Sequence, residues 1–299
     1  MEEKNTNQLN PAIKQTWLRI LLFILMYIIG SALISVLAGV IIVATGYSSP
    51  NELQSFFGNN GNIRILILTQ SFSLMAAALS IWVFRVFIDR KSILSLGFKI
   101  KGKFKDMLIG FFLGFLLLSM GFLMLYYTNK LEITGVAYDF SAILGSFILF
   151  IIVAVVEESI MRGYILSNLM DSLKNKYIAL IISAVIFALF HAINPNLSIL
   201  GFINLFVAGI ALGVTYIHTR NLWFPIFLHI SWNYFQGPIL GFEVSGLNIK
   251  SVISHNVIGS DLITGGNFGF EGSILLTILL AGMIIITDRI LARRTNLND

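Results

Sequence analysis

Five ionisable side chains lie inside long apolar stretches of this sequence: Glu157, Glu158, Arg162, His191 and His229. A charged side chain at the centre of a bilayer costs about 2.5–3.5 kcal/mol on insertion scales, so each of these residues needs a reason to be there. Carboxylates and imidazoles are also the groups that proteins use to move protons and to bind metal ions. These residues are therefore the candidates for chemistry.

Glu158 and Arg162 are four residues apart, so on a helix they share one face and can form an ion pair. We interpret this pair as a buried structural brace. Glu157 is rotated by about 100° from Glu158 on a helix, which leaves it without a local cation. The structural alternatives for Glu157 are a second, weaker pairing with Arg162 or a position near the lipid headgroups. We expect Glu157 to be the carboxylate that is available for chemistry.

The two histidines lie in two later apolar stretches, and His229 is followed four residues on by Asn233. A single histidine on an apolar helix is commonly a hydrogen-bonded core residue, which is the structural alternative for His191. His229 and Asn233 share a helix face. The amide of Asn233 can donate to a developing oxyanion or simply tie two helices together.

Taken together, Glu157, His191, His229 and Asn233 supply a base, a partner that orients water and a donor for an oxyanion. Alternatively, Glu157, His191 and His229 are ligands for Zn²⁺ or another divalent metal with one position open for water. Either arrangement predicts hydrolysis of an acyl bond inside the membrane. The sequence has no cysteine, no Gly-x-Ser-x-Gly and no His-Glu-x-x-His motif, which excludes a cysteine nucleophile and an ordinary zincin and leaves a serine hydrolase unsupported.

The elements that position these residues are predicted to be membrane-spanning helices. Of the 299 residues, 57% are hydrophobic and 12% are charged, whereas soluble domains carry about 25% charged residues. A span needs roughly 20 apolar residues. We predict an all-α, polytopic bundle of about eight spans, with the fourth span continuing to about residue 171. The apolar runs are 17–44, 63–88, 107–128, 140–158, 177–193, 198–217, 222–236 and 271–290.

The distribution of basic residues predicts that both termini are cytoplasmic, because cytoplasmic loops carry an excess of Lys and Arg. Arg64, Lys130 and Lys250 are assigned to the outer side, and Arg162 to the bundle interior. The 16 residues assigned to the cytoplasmic side are Lys4, Lys14, Arg19, Arg85, Arg90, Lys91, Lys99, Lys101, Lys103, Lys105, Lys174, Lys176, Arg220, Arg289, Arg293 and Arg294. We interpret the basic loop around 89–105 as an anchor on anionic lipid headgroups, with an acidic ligand as the alternative. We expect no nucleic-acid partner.

The chain is predicted to have three parts: spans one to three with the basic loop (1–138), a core that carries the candidate residues (139–290) and a cytoplasmic tail (291–299). Asp89, Asp106, Asp139, Glu271 and Asp288 are placed at span ends, where a charge needs no special account. Residues 237–270 are rich in Gly, Ser and Asn, and are expected to form a cap over the bundle or a loose loop.

Three motifs occur in order and with matching spacing: Glu157-Glu158-x-x-x-Arg162, Phe187-x-x-x-His191 and His229-x-x-x-Asn233. In these motifs, and in the stretches 209–226 and 265–272, residues 139–290 resemble the CPBP family, which contains the type II (Rce1-like) CAAX prenyl endopeptidases and bacterial Abi or bacteriocin-processing relatives. The resemblance implies an eight-span core, with Glu157 activating water, His191 assisting, and His229 and Asn233 stabilising the oxyanion. Metal-dependent and metal-free mechanisms both remain open.

The expected function is therefore an intramembrane endopeptidase of a bacterial plasma membrane, acting on a membrane-anchored or prenylated (CAAX-like) peptide or protein among membrane lipids. Two other classes remain as alternatives. A proton-coupled transporter can use the same glutamate and histidines as a relay. A non-catalytic membrane partner, such as an immunity protein, needs no catalytic residue. The sequence does not indicate an oligomeric state.

Overall fold

A computed structural model describes residues 10–46 and 63–296 of the chain and confirms the prediction of an all-α helical bundle. The α-helices are α1 (Thr16–Ala44), α2 (Ile63–Trp82), α3 (Phe104–Tyr127), α4 (Phe140–Glu158), α5 (Ser167–Ser172), α6 (Lys176–Phe190), α7 (Ile199–Gly213), α8 (Tyr216–Thr219), α9 (Trp223–Tyr234), α10 (Asp261–Thr264) and α11 (Ile274–Asn296). Three π-helical segments extend α2, α4 and α9: Val83–Ile88, Ser159–Leu166 and Phe235–Ile239. Short 3₁₀ turns are Ile93–Leu96, Gly266–Phe268 and Phe270–Gly272. Lys4 and positions 297–299 of the expected tail lie outside the described residues.

Each of the eight predicted apolar runs contains a helix, but the helices differ in length. Among the described residues, six helical stretches are long and apolar enough to cross a membrane: Thr16–Ile41, Ile63–Ile88, Phe104–Tyr127, Phe140–Ser172, Ile199–Thr219 and Ile274–Arg293. The two shorter helices are α6, with 15 residues, and α9, with 12. The total of eight spans and the cytoplasmic placement of both termini stay predictions.

The outer surface of the bundle is apolar. On α1, for example, Leu33, Val36 and Leu37 are each about 60% exposed, and comparable aliphatic side chains cover the outward faces of α2, α3 and α11. A soluble protein rarely exposes continuous apolar patches of this extent. This surface is suited to contact with lipid chains.

Helix α6 is too short to cross the hydrocarbon core. At 1.5 Å per residue its 15 residues span about 22 Å, whereas the core is about 30 Å thick. The side chain of Asn175 caps its first turn by accepting a hydrogen bond from the backbone N–H of Tyr177 (2.9 Å). The helix ends at Phe190, so His191 lies at its C-terminal end. His191 lines the cavity inside the bundle.

Helix α9 packs closely against α3 because glycines line the contact. A β-carbon at Gly110 would lie 2.5 Å from the carbonyl oxygen of Phe224, and one at Gly114 would lie 3.0 Å from that of Leu228. The hydroxyl of Ser231 donates a hydrogen bond to the carbonyl of Phe111 across the same contact. Small residues allow this close approach between membrane helices. The contact fixes α9, which carries His229 and Asn233, against the bundle.

Three charged residues near predicted span ends are buried. Asp89 forms ion pairs with Arg19 (2.5 Å) and Arg85 (3.1 Å), and Asn168 donates to the same carboxylate (3.1 Å). The three charged side chains are at most 8% exposed. Arg19 and Arg85 were predicted to lie on the cytoplasmic side, and that placement stays a prediction. Asp89 was predicted to be a span-end residue that needs no special account, which its burial contradicts. The network joins α1, the end of α2 and α5, so it fixes the first two helices to the continuation of α4.

The segment 237–270 is a structured cap. Strand β1 (Leu131–Val136) pairs antiparallel with β2 (Ile253–Val257), with an irregularity between Ile133 and Gly135. This two-stranded sheet was not predicted from the sequence. The side chains of Val244, Leu247 and Ile249 line the cavity inside the bundle. The segment is therefore a cap over the bundle and not a loose loop.

Candidate active site

Glu157 lies near the midpoint of one continuous helical stretch, Phe140–Ser172. Asp139 caps the start of α4 by accepting a hydrogen bond from the N–H of Ala142 (3.1 Å). Immediately after Glu158 the helix widens into a π-helical segment, a feature that is rare and frequently found at functional sites. The continuation past Arg162 that the sequence required is therefore present, and it places Glu157 within the bundle.

Glu158 and Arg162 form the ion pair expected from their spacing, with Nη1 of Arg162 2.8 Å from Oε1 of Glu158 and both side chains buried. Arg162 also donates to the carbonyl of Gly209 (3.0 Å), and its guanidinium lies 4.7 Å from the ring centre of Phe187. The pair therefore joins the helical stretch of α4 to α6 and α7. The structural alternative in which Arg162 pairs with Glu157 is not observed.

Glu158 has a second contact that the sequence did not predict. Its Oε1 lies 2.9 Å from Nδ1 of His229, so Nδ1 carries a hydrogen and donates it to the carboxylate. A carboxylate on one ring nitrogen fixes both the orientation and the protonation of a histidine. Glu158 is thus a positioning residue for His229 as well as a partner of Arg162.

His191 is oriented by the end of its own helix. Its Nδ1 lies 2.8 Å from the carbonyl oxygen of Phe187, which is four residues earlier and belongs to the last turn of α6. The last four carbonyls of a helix lack intrahelical partners, so this one is available to accept the Nδ1 hydrogen. The Phe187-x-x-x-His191 motif therefore fixes the ring and leaves Nε2 directed away from the helix.

The structure brings the two imidazoles to the same carboxylate oxygen. Oε2 of Glu157 lies 3.8 Å from Nε2 of His191 and 3.9 Å from Nε2 of His229. This oxygen is shielded from solvent and has no hydrogen-bond partner among the described residues. Separations above 3.5 Å are too long for direct hydrogen bonds, and polar groups at such distances are commonly bridged by water. The arrangement can hold one water molecule between a base and two nitrogen atoms.

Asn233 lines the same cavity as these three residues, one helical turn after His229. The cavity has a volume of about 310 Å³, and most of its wall is aliphatic or aromatic. An apolar cavity with a few convergent polar groups is the usual form of a binding or catalytic site. The four residues predicted as catalytic are therefore brought together at one cavity inside the bundle.

Glu157, His191 and His229 are also the predicted metal ligands. Their donor types suit a divalent ion, because the Nδ1 hydrogen of each histidine is bonded to an acceptor. The distances between the three side chains do not suit a tetrahedral site. Ligands of a tetrahedral zinc ion lie about 3.4 Å from one another, shorter than the 3.8 and 3.9 Å from Glu157 to the two histidines. Among the described residues, no group of three His, Asp or Glu side chains is arranged to hold a metal ion.

Glu271 is a buried carboxylate at this cavity, and the expectation that it needed no special account at a span end was wrong. Its Oε1 accepts a hydrogen bond from the indole of Trp232 (3.3 Å), and its Oε2 accepts from the N–H and hydroxyl of Ser245 (2.8 and 2.9 Å). The feature of the sequence that could have indicated a buried role for Glu271 is its position as a single acidic residue between Gly269 and Gly272, where the structure has short 3₁₀ turns.

Comparison with known protein families identifies the matching part of the chain. Residues 139–235 match the family described as type II CAAX prenyl endopeptidase, Rce1-like. A comparison with curated proteins finds no significant match. The matched residues begin at the cap of α4 and end just after Asn233, so they include all three motifs. Together with the apolar helices, the match indicates an integral membrane protein. The match supports the resemblance to the CPBP family that the three motifs indicated, and it supports intramembrane protease activity in general.

Proposed function

We propose that this protein hydrolyses a peptide bond of a membrane-associated protein or peptide, with Glu157 as the general base. One observation carries the proposal: Oε2 of Glu157 lies within 4 Å of Nε2 of both His191 and His229 at a largely apolar cavity. Prenylated CAAX-like sequences are one substrate class that the family description supports. A bacterial plasma membrane is the proposed location.

The attacking water is oriented by two acceptors. Neutral His191 has its hydrogen on Nδ1, so its Nε2 accepts a hydrogen bond from water. Glu157 accepts the other hydrogen of the same water. The oxygen lone pairs then face the cavity, where the carbonyl carbon of the substrate is attacked. Glu157 takes the water proton as the new C–O bond forms, and passes it to the leaving nitrogen when the C–N bond breaks.

The charges of the surrounding groups favour stabilisation of the oxyanion by His229. Glu157 and Glu158 contribute two negative charges and Arg162 one positive charge, so a second proton on His229 makes the group neutral. His229 then donates from Nδ1 to Glu158 and from Nε2 toward the cavity. The amide of Asn233, one turn further on α9, is the second proposed donor. Loss of one such donor commonly costs about 10²–10³ in kcat.

The proposal is tested with purified protein reconstituted in liposomes together with a membrane-anchored reporter peptide. We expect cleavage at a single internal bond, detected by mass spectrometry, and cleavage slowed by about 10²–10⁴ in protein that carries Glu157→Gln. Ion or solute flux without cleavage would instead establish the transporter alternative. If the protein protects cells as an immunity protein would, and still does so when it carries both Glu157→Gln and His191→Ala, it acts as a non-catalytic partner.

Dialysis against a chelator is expected to leave the cleavage rate unchanged. The Glu157–His191 and Glu157–His229 separations are longer than the ligand spacing of a tetrahedral zinc site, so the proposed base needs no ion. The measurement compares initial rates after treatment with EDTA or 1,10-phenanthroline, and after addition of Zn²⁺. A rate that is lost on chelation and restored by zinc would assign Glu157, His191 and His229 to a metal site.

A further inference from the structure

Glu271 lies between the cap and the helix that carries the proposed oxyanion residues. Its two oxygens receive hydrogen bonds from Ser245 in the cap and from Trp232, the neighbour of Asn233 on α9. The side chain belongs to the wall of the same cavity as Glu157 and His191. A group bound by Glu271 is therefore close to the scissile bond.

The charge of Glu271 is not balanced by a neighbouring cation. Its three hydrogen-bond donors are a neutral indole, a backbone N–H and a hydroxyl. No Lys or Arg is present among the described residues that line the cavity. The buried Glu158 differs, because Arg162 neutralises it at 2.8 Å. A carboxylate that is 8% exposed and lacks a cation is costly, and binding of a cation at the cavity reduces that cost.

A lone pair of Glu271 remains for such a ligand. An ionised carboxylate has about four acceptor positions, and three are used by Ser245 and Trp232. The cavity wall thus offers one carboxylate acceptor. An anionic ligand group would meet two carboxylates, Glu157 and Glu271, and no Lys or Arg among the described lining residues.

We propose that Glu271 determines substrate specificity by binding a positively charged group, a Lys or Arg side chain, in the substrate residues beside the scissile bond. This inference rests on the proposed function, because it places the charged group next to a bond that Glu157 hydrolyses. It further specifies the substrate as an apolar segment that carries a basic residue.

The test measures binding to full-length protein that carries Glu157→Gln, so that the peptide stays intact. Three blocked octapeptides of leucine and alanine carry a central lysine, norleucine or glutamate and a neutral fluorophore, and their binding in detergent micelles is followed by fluorescence anisotropy. We expect the lysine peptide to bind about 10- to 100-fold more tightly than the norleucine peptide, and the glutamate peptide to bind most weakly.

Addition of Glu271→Gln is expected to abolish the lysine preference while norleucine binding persists. Glu243→Gln is the matched control, since Glu243 belongs to the same cap but does not line this cavity, and it should keep the preference. Equal binding of the lysine and norleucine peptides, no binding of either, or a preference that survives Glu271→Gln overturns the proposal. Cleavage by the wild-type protein is measured separately. A Glu271-dependent preference without cleavage refutes only the proposed function, and cleavage without a preference refutes only this inference.

Discussion

Replacement of Arg162 with methionine is expected to lower the free energy of unfolding by about 3–5 kcal/mol, the cost of breaking a buried ion pair. The change leaves Glu158 fully buried without its cation, and it removes the hydrogen bond to the carbonyl of Gly209. It also removes the guanidinium from the ring of Phe187. Three helices lose a common contact, so the effect should exceed that of an ordinary core substitution.

The measurement is unfolding by SDS titration in mixed micelles, with Arg220→Met as the matched control. Arg220 pairs with Asp171 at 2.9 Å, but its side chain is 43% exposed. An exposed pair is worth about 0–1 kcal/mol, so the control should change stability little. If the two variants lose the same stability, the buried pair is not a structural brace.

Combining Glu158→Met with Arg162→Met separates the structural and catalytic consequences. Replacement of a buried ion pair by apolar residues of similar volume is often neutral, so the double variant should recover most of the stability lost by Arg162→Met alone. It should not recover cleavage, because Nδ1 of His229 has lost the carboxylate that orients it. A stable double variant with wild-type cleavage would show that Glu158 does not position His229.

The Glu158–Arg162 ion pair could be predicted from the sequence because the two residues are four apart on one helix. The hydrogen bond from Nδ1 of His191 to the carbonyl of Phe187 has the same spacing, but it was not predicted. The apolar runs, likewise, determine the helices directly. Local periodicity was sufficient for these features because each involves residues within one turn of a helix.

Contacts between distant residues were not predictable in this way. Asp89 pairs with Arg19 across 70 residues, and Glu271 is held by Ser245 in the cap. The strand pairing of β1 with β2 joins segments that are more than 100 residues apart. Charges near span ends look alike in sequence, whether they face headgroups or turn inward. Only the packing of helices and cap decides between these two environments.

The contact between Glu157 and His191 depends both on local helical structure and on the packing of distant segments. The sequence placed them in consecutive motifs on two different helices. The helix that carries Glu157 continues through a π-helical segment, α6 ends just before His191, and packing brings Oε2 of Glu157 to 3.8 Å from Nε2 of His191. Neither feature has a reliable sequence signal, because a helix that ends early inside an apolar run looks much like one that continues.

Glu157→Gln is expected to reduce kcat by about 10²–10⁴, the usual contribution of a general base, while the protein keeps its fold. Oε2 of Glu157 has no hydrogen-bond partner among the described residues, so an amide of the same size breaks no observed hydrogen bond at this oxygen. Stability should therefore equal that of the wild type within about 0.5 kcal/mol. Glu132→Gln, which removes an exposed carboxylate on β1, is the control for loss of a charge elsewhere.

The kinetic pattern distinguishes proton transfer from the other roles that a carboxylate can have. A base that acts only on the water should lower kcat and leave KM nearly unchanged, whereas a substrate-binding group should mainly raise KM. Glu157→Asp sharpens the distinction, because it keeps the charge but withdraws it by one methylene from His191 and His229. We expect this variant to lose about 10²-fold in kcat, since misplacement by about 1 Å can cost that much. The opposite outcome is a fully active Glu157→Asp together with an inactive Glu157→Gln. Catalysis would then depend on the negative charge near the two imidazoles and not on the position of the carboxylate oxygen. That result contradicts the proposed role of Glu157 as a base.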